Sequence, residues 1–503
     1  MADRESLLKI LKTVDGKPYP KYKEITGTYD MGKYTLHVDD VQGSPSSEPT
    51  KMRATVSMAK SGFPDDTYVN KSRRVALADL IARRFWESAR ADMKEVSIPR
   101  PGQEILERGS VTVAEKFLMI SFSFALPSAG KNVAGKTLTE MLKKLDTMVV
   151  GALFYKSYKK SKLYNHIETS ENADFIRQNL VEKGMNSFIA DGSILPRRED
   201  GMAPMIDAVP FKTLDKLERV IEVPNGPPIR GMGIHLEITA IIGASGSGRS
   251  TLVDAIYAGV HNHIPGDGRE YVITVDDAFY VSKADGRSAN NVDISSFTKV
   301  KEPITSENIT GPLAASVSMA EAAEAGCRFF VLDEDACYPA IMGSGSALNA
   351  VAKDEKIFSI LNISRFDDVI SAVIAGNSES IFSNAGRVIL MSAFNPVDVS
   401  YNMIMRDCEV PSPSLPKNRL PLIRNGVEFS LDAEGLRFPS DQSYESSARN
   451  ILKGMQEEMD GSHTIISLSS EGGFIPPKGV AVRRMDIAMM MNRMSNLSMI
   501  RRT

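Results

Sequence analysis

The sequence predicts an α/β protein built around a largely parallel sheet. Three observations carry that prediction. Apolar strand-like runs alternate with helical stretches through the middle of the chain. A glycine-rich loop at Gly243–Thr251 stands between an apolar strand and an amphipathic helix. Further on, a second apolar strand ends in Asp333, Glu334 and Asp335. With 503 residues, 42% of them hydrophobic and 24% charged, the chain predicts a soluble protein of two to four domains.

The N-terminal part, residues 1–165, reads as a mixed α/β domain. Alternation in YTLHVDDV and KMRATVSMA predicts short strands. Val75–Ala89 is helical in period, with Ala76, Leu80, Ala82, Phe85 and Trp86 on or near one face. Pro99 and Pro101 interrupt the chain before the strand-like KFLMISFSFAL. The loop SAGKNVAGK then leads into a predicted helix, TLTEMLKKLDTMVVGALFYKSYKKS.

Residues 166–430 form the predicted core. The linker VPNGPPIRGMG precedes the strand EITAIIG. Later strands are CRFFVLDED, DDVISAVIAG and GRVILMSA, and helices lie in PLAASVSMAEAAEAG and SALNAVAKDEKIFSIL. After the proline-rich bridge VPSPSLPKNRLPL, residues 431–503 predict a small, mainly helical C-terminal domain with a basic, methionine-rich end. Neither an internal repeat of ~20–50 residues nor a low-complexity tract interrupts this order.

Composition excludes several classes. A net charge of −3 confines any nucleic-acid contact to a local patch. Cys327, Cys337 and Cys408 are too few for a disulfide scaffold and form no CxxC pair, which points to a reducing compartment. No apolar run approaches the ~18 residues of a membrane span. The start, MADRESLLKILKTVDGK, lacks the apolar core of a secretory signal and carries early acids unlike an organelle transit peptide. The 25 methionines read as packing plasticity.

Gly243-Ala-Ser-Gly-Ser-Gly248-Arg249-Ser250 fits the phosphate-loop pattern G-x-x-x-x-G-K-[ST] except at Arg249. Glycines allow consecutive N–H groups to turn toward phosphate oxygens, and the helix N-terminus adds positive potential. The predicted nucleotide contacts are therefore Gly243, Gly246, Ser247, Gly248, Arg249, Ser250 and Thr251. The ligand implied is ATP or ADP. Ser250 and Asp333 would hold Mg²⁺, with Glu334 beside them to polarise water. Arg249 keeps the charge of the usual lysine, but its planar fork is bulkier.

Phe154–Tyr164 packs four lysines and four aromatics into eleven residues without an acid. Lysines neutralise phosphates and aromatic rings stack on unpaired bases. Tyr155, Lys156, Tyr158, Lys159, Lys160 and Lys162 are thus candidate RNA contacts; the alternative is a solvated helix face with its aromatics in the core. Arg483, Arg484, Arg493, Arg501 and Arg502 form a second basic group, either RNA-facing or on a docked helix. His261 and His263 have the look of metal ligands, but the chain holds six His in all, and a structural or nucleotide-proximal loop is favoured.

Several long phrases resemble one family, the toroidal, RNA-associated ATPases of the ABC class. They include DGKPYPKYKEITGTYDMGKYTLHVDDVQGSP, IPRPGQEILERG, GVHNHIPGDGREYVIT, DGRSANNVDIS and VRRMDIAMMMNRMSNL. The resemblance runs over nearly the whole chain. It implies an ABC-type P-loop ATPase core with an N-terminal α/β domain and a small C-terminal domain. It also implies RNA or a ribonucleoprotein as partner, and an intracellular site, mitochondrial or cytoplasmic.

The chain departs from this family at its catalytic phrases. GKST becomes GRST. The signature segment, resembling SENASGSTSQAANI, becomes Ser306-Glu-Asn-Ile-Thr310-Gly311-Pro312-Leu-Ala-Ala. Pro312 lacks a backbone donor, and Leu313 and Ala314 lack hydroxyls. DEDTSATNFMIRD becomes DEDACYPAIM, and GGSGDYFDVAD becomes AGNSESIFSNA. The expectation is a nucleotide-binding protein with impaired hydrolysis that serves RNA or a ribonucleoprotein. The alternatives are an active ATPase remodelling RNA–protein complexes and a scaffold that touches neither ligand.

Overall fold

The computed structural model describes residues 1–199, 203–213, 215–295, 302–338, 371–378, 381, 385–400, 419–440, 442–471 and 473–501. They form two compact units. One contains Met1–Glu171 and Ile475–Ala481; the other contains Asn172–Phe474 and Val482–Thr503. The C-terminal stretch thus contributes to both. The predicted helix SALNAVAKDEKIFSIL, most of the proline-rich bridge, Cys408 and Arg502 lie outside the described residues.

The first unit is a sheet of mostly antiparallel strands backed by helices. Its central pair joins Thr50–Ser57 to Phe117–Phe124, placing Met52, Ala54 and Val56 on the buried face. The helix Lys71–Asp92 buries Ala76, Leu77, Ile81, Ala82, Phe85 and Ala89. Leu80 and Trp86 are only partly buried, so the apolar face is rotated from the one expected. Asp79 on this helix is fully buried. Burial opposes its charge, but Arg83, Arg108 and His166 outweigh it and hold the carboxyl far below the usual range. The expected helix over residues 137–161 is shorter: an α-helix spans Gly135–Leu153, a 3-10 turn spans Tyr155–Ser157, and a new helix starts at Lys160.

The second unit contains the parallel sheet that the alternation predicted. In chain order its elements are β1 (Ile238–Ile242), α1 (Arg249–Ala258), β2 (Phe279–Val281), α2 (Gly311–Glu324), β3 (Phe329–Asp333), β4 (Ser371–Ala375), β5 (Arg387–Ser392) and β6 (Asn395–Asp398). The strand order is β2-β3-β4-β1-β5-β6, parallel except for the β5–β6 hairpin. Strand residues alternate between two cores. Phe330, Leu332, Ile374 and Val388 pack with α2; Phe329, Val331, Val373 and Ile389 pack with α1. Burial on both faces explains why these strands read as continuous apolar runs. The carboxyl ends of β1, β3, β4 and β5 lie along one edge, where open α/β sheets bind ligands.

Among the described residues, no helix is long and apolar enough to cross a membrane.

Candidate functional site

β1 leads into the glycine-rich loop and α1 leads out of it. Gly243, Gly246 and Gly248 have φ of +151°, +74° and +96°. Gly243 admits no side chain: a Cβ there would lie 2.7 Å from Ser247 Oγ and 2.8 Å from Met391 O. Gly248 is the N-cap of α1, and no side chain caps that end. Its first N–H groups therefore remain available, as anion binding requires. Leu252, Val253, Ala255 and Ile256 anchor α1 in the core. Among the described residues, Ser247 Oγ is buried without a hydrogen-bond partner, and the side chains of Arg249, Ser250 and Thr251 make no hydrogen bond. The loop ends in an uncapped helix start beside unbonded hydroxyls, which fits a polyphosphate.

The carboxylates are differently placed. Asp333 closes β3, nearly buried, and accepts the Asp335 N–H at 3.0 Å. Glu334 is already engaged. It accepts the Asn377 N–H at 2.8 Å and the Ser378 hydroxyl. Asn377 also reaches the loop: its amide nitrogen donates to Gly243 O at 2.9 Å, and its Oδ1 accepts the Gly243 N–H at 3.1 Å. A clasp from the end of β4 thus ties the carboxylate strand to the phosphate loop. The sequence reading did not foresee that Asn377 and Ser378 would hold Glu334.

The signature-like segment starts α2. Thr310 is its N-cap without a side-chain bond, and Gly311 sits at φ +63°. The Gly311 N–H donates to Asp285 Oδ1 at 2.6 Å. Pro312 has no N–H to give. This helix end therefore carries its own carboxylate where a phosphate would need donors. Arg287 ties the strand Arg287–Val292 to α2, donating to Ser318 Oγ at 2.7 Å and to both Glu321 carboxylate oxygens at 2.6–2.8 Å. No hydrogen bond or ion pair joins Thr310 and Gly311 to Gly243–Thr251 among the described residues.

In the other unit, Lys156, Lys159, Lys160 and Lys162 are exposed. They do not share one helix, because the 3-10 turn separates Lys156 from the helix beginning at Lys160. The tyrosines are occupied. Tyr158 donates to Ala152 O at 2.6 Å and packs 5.5 Å from Phe63, whose ring also lies 5.9 Å from Tyr155. Among the C-terminal arginines, Arg483 is internal, pairing with Asp486 at 2.8 Å.

His263 Nδ1 lies 2.8 Å from Asp267, which Arg197 also pairs, so this loop is braced internally. No group of three or more His, Cys, Asp or Glu among the described residues is arranged to hold a metal ion. A divalent ion at the loop would depend on phosphate oxygens, with Ser250 and Asp333 as the protein's contribution.

Comparison with known families decides the assignment. The model of the ABC-ATPase P-loop domain matches residues 159–419, and that of the N-terminal region of ATPases of the ABC class matches residues 4–156. The chain belongs to the ABC-class ATPase family. Part of this ABC-class chain is 35% identical over 112 residues to an uncharacterized protein of Methanocaldococcus jannaschii. That match covers 20% of this chain and 25% of the relative. A bacterial Atm1-family ABC exporter solved with ATP bound aligns with 55% of this chain and 51% of its own. The identity is 12% and the TM-score 0.24, too slight to bear on the fold.

Proposed function

We propose that this ABC-class protein binds ATP or ADP weakly, hydrolyses ATP negligibly, and acts as an RNA-binding or ribonucleoprotein subunit in mitochondrial RNA processing or ribosome assembly. One contrast carries the catalytic part. The phosphate loop keeps its glycine conformations and the uncapped start of α1, while Glu334 is held by Asn377 and Ser378. The occupied Gly311 N–H and Pro312 weaken the signature end as well. Phosphoryl transfer depends on positioned charge, so these losses together cost several powers of ten in rate. Bound Mg²⁺ would supply charge neutralisation; Ser250 and Asp333 would orient it.

Phosphate-release assays on the purified chain should show negligible turnover, and Arg249→Lys alone should not raise it. The lysine would restore one contact and leave Glu334 and the α2 terminus as they are. Fast turnover abolished by Glu334→Gln would instead support the active-ATPase reading, which the retained Asp333/Glu334 pair favours.

The RNA part rests on the family resemblance and on exposed, acid-free lysines. Neutralising Lys156, Lys159, Lys160 and Lys162 together should weaken RNA binding and flatten its salt dependence by about one unit per lost phosphate contact. The rings of Tyr155 and Tyr158 are engaged in protein contacts, so charge rather than stacking is the proposed contribution. Binding by the lysine variant that matches the parent at every salt concentration would remove this segment from the account.

A further inference from the structure

The β5–β6 hairpin turns through Ala393 and Phe394, with φ of +48° and +66°. Hairpin turns of this hand normally use glycine, asparagine or aspartate, because a side chain is strained there. This chain spends the strain on an aromatic that stays 49% exposed. Strain of this kind clusters at ligand sites. The ring also has a particular neighbour: a Cβ on Gly248 would lie 3.2 Å from Phe394 Cδ1. Phe394 therefore borders the phosphate loop at the N-cap of α1. The loop itself, Gly243–Thr251, contains no aromatic residue.

Strand order gives the direction of a bound nucleotide. β1 lies between β4 and β5. Asp333, Glu334 and Asn377 all belong to the β3–β4 side of the loop. A terminal phosphate placed toward those groups would leave the nucleoside end on the β5 side. β5 ends at the hairpin that carries Phe394.

We propose that Phe394 is a stacking platform for the base of a nucleotide held by the phosphate loop. The proposal rests on the reading that this loop binds polyphosphate. The ligand class is a nucleoside di- or triphosphate, with little preference among bases, because every base has a π face.

Calorimetric titration with ATP and with inorganic tripolyphosphate separates the two readings. Phe394→Ala should weaken ATP about tenfold, the scale of one lost base–aromatic stack. It should leave tripolyphosphate binding unchanged. Phe394→Trp should restore ATP affinity, and its fluorescence should respond to ATP but not to tripolyphosphate. Equal loss of both ligands in Phe394→Ala would mean that the ring only supports the loop, and would overturn the proposal. So would ATP binding equal to the parent. A parent chain that binds neither ligand would overturn the loop reading itself, and this one with it.

Discussion

Gly248→Asp abolishes nucleotide binding, with an expected loss of at least a hundredfold in ATP affinity by titration calorimetry. Three effects add. The residue sits at φ +96°, where any side chain is strained. Its new Cβ would meet Phe394 Cδ1 at 3.2 Å and force the loop or the hairpin to move. Most of the loss comes from charge. The N-terminus of α1 favours an anion, and a carboxylate at its N-cap would claim the N–H groups meant for phosphate. Gly248→Ala isolates the steric share and should cost only about tenfold, since a strained backbone costs ~1–3 kcal/mol. If Gly248→Asp binds ATP as the parent does, the nucleotide does not use this loop.

Arg419→Ala should destabilise the P-loop unit by about 3–5 kcal/mol, read by urea unfolding followed by circular dichroism. Arg419 is 1% exposed and makes four kinds of contact. Its Nε donates to Glu324 at 2.7 Å, its backbone N–H also meets that carboxylate, and its other nitrogens reach Asn290 O and Asn492 Oδ1 at 2.7 and 2.8 Å. Truncation strands Glu324, itself only 4% exposed, as an unpaired charge. Burial already raises the Glu324 pKa against the pull of Arg419. Without the arginine it rises further. The folded variant then binds a proton that the unfolded chain releases, so its stability falls as pH rises through the raised value. The deficit should shrink in acid. Replacing Arg419 and Glu324 together by methionine should cost less than either single change, because no buried charge is left alone. A deficit that grows toward low pH would contradict this account.

Local features made part of the site legible beforehand. Gly243, Gly246, Gly248 and Ser250 are defined by spacing within nine residues, and the apolar runs of β1 and β3 mark the strands that present the loop and Asp333. The same local reading misjudged the helix after Ala134, because nothing in its period stops at Leu153. The Phe63–Tyr155–Tyr158 cluster, which joins distant segments, accompanies the turn there. The rotated face of Lys71–Asp92 has a similar origin. Composition offers both Leu77 and Leu80, and packing in the unit selects Leu77.

The sequence by itself determined the phosphate loop and the carboxylate strand, because each is written in short-range spacing that the backbone converts directly into a turn, a strand or a helix start; its longer phrases carried the family resemblance. Tertiary structure alone decided how the groups of the candidate site are engaged. Glu334 meets Asn377 and Ser378 across 43–44 residues, Asp285 meets the Gly311 N–H across 26, and Phe394 approaches Gly248 only because β5 pairs with β1. Such contacts depend on which strands become neighbours, and no local period records that choice.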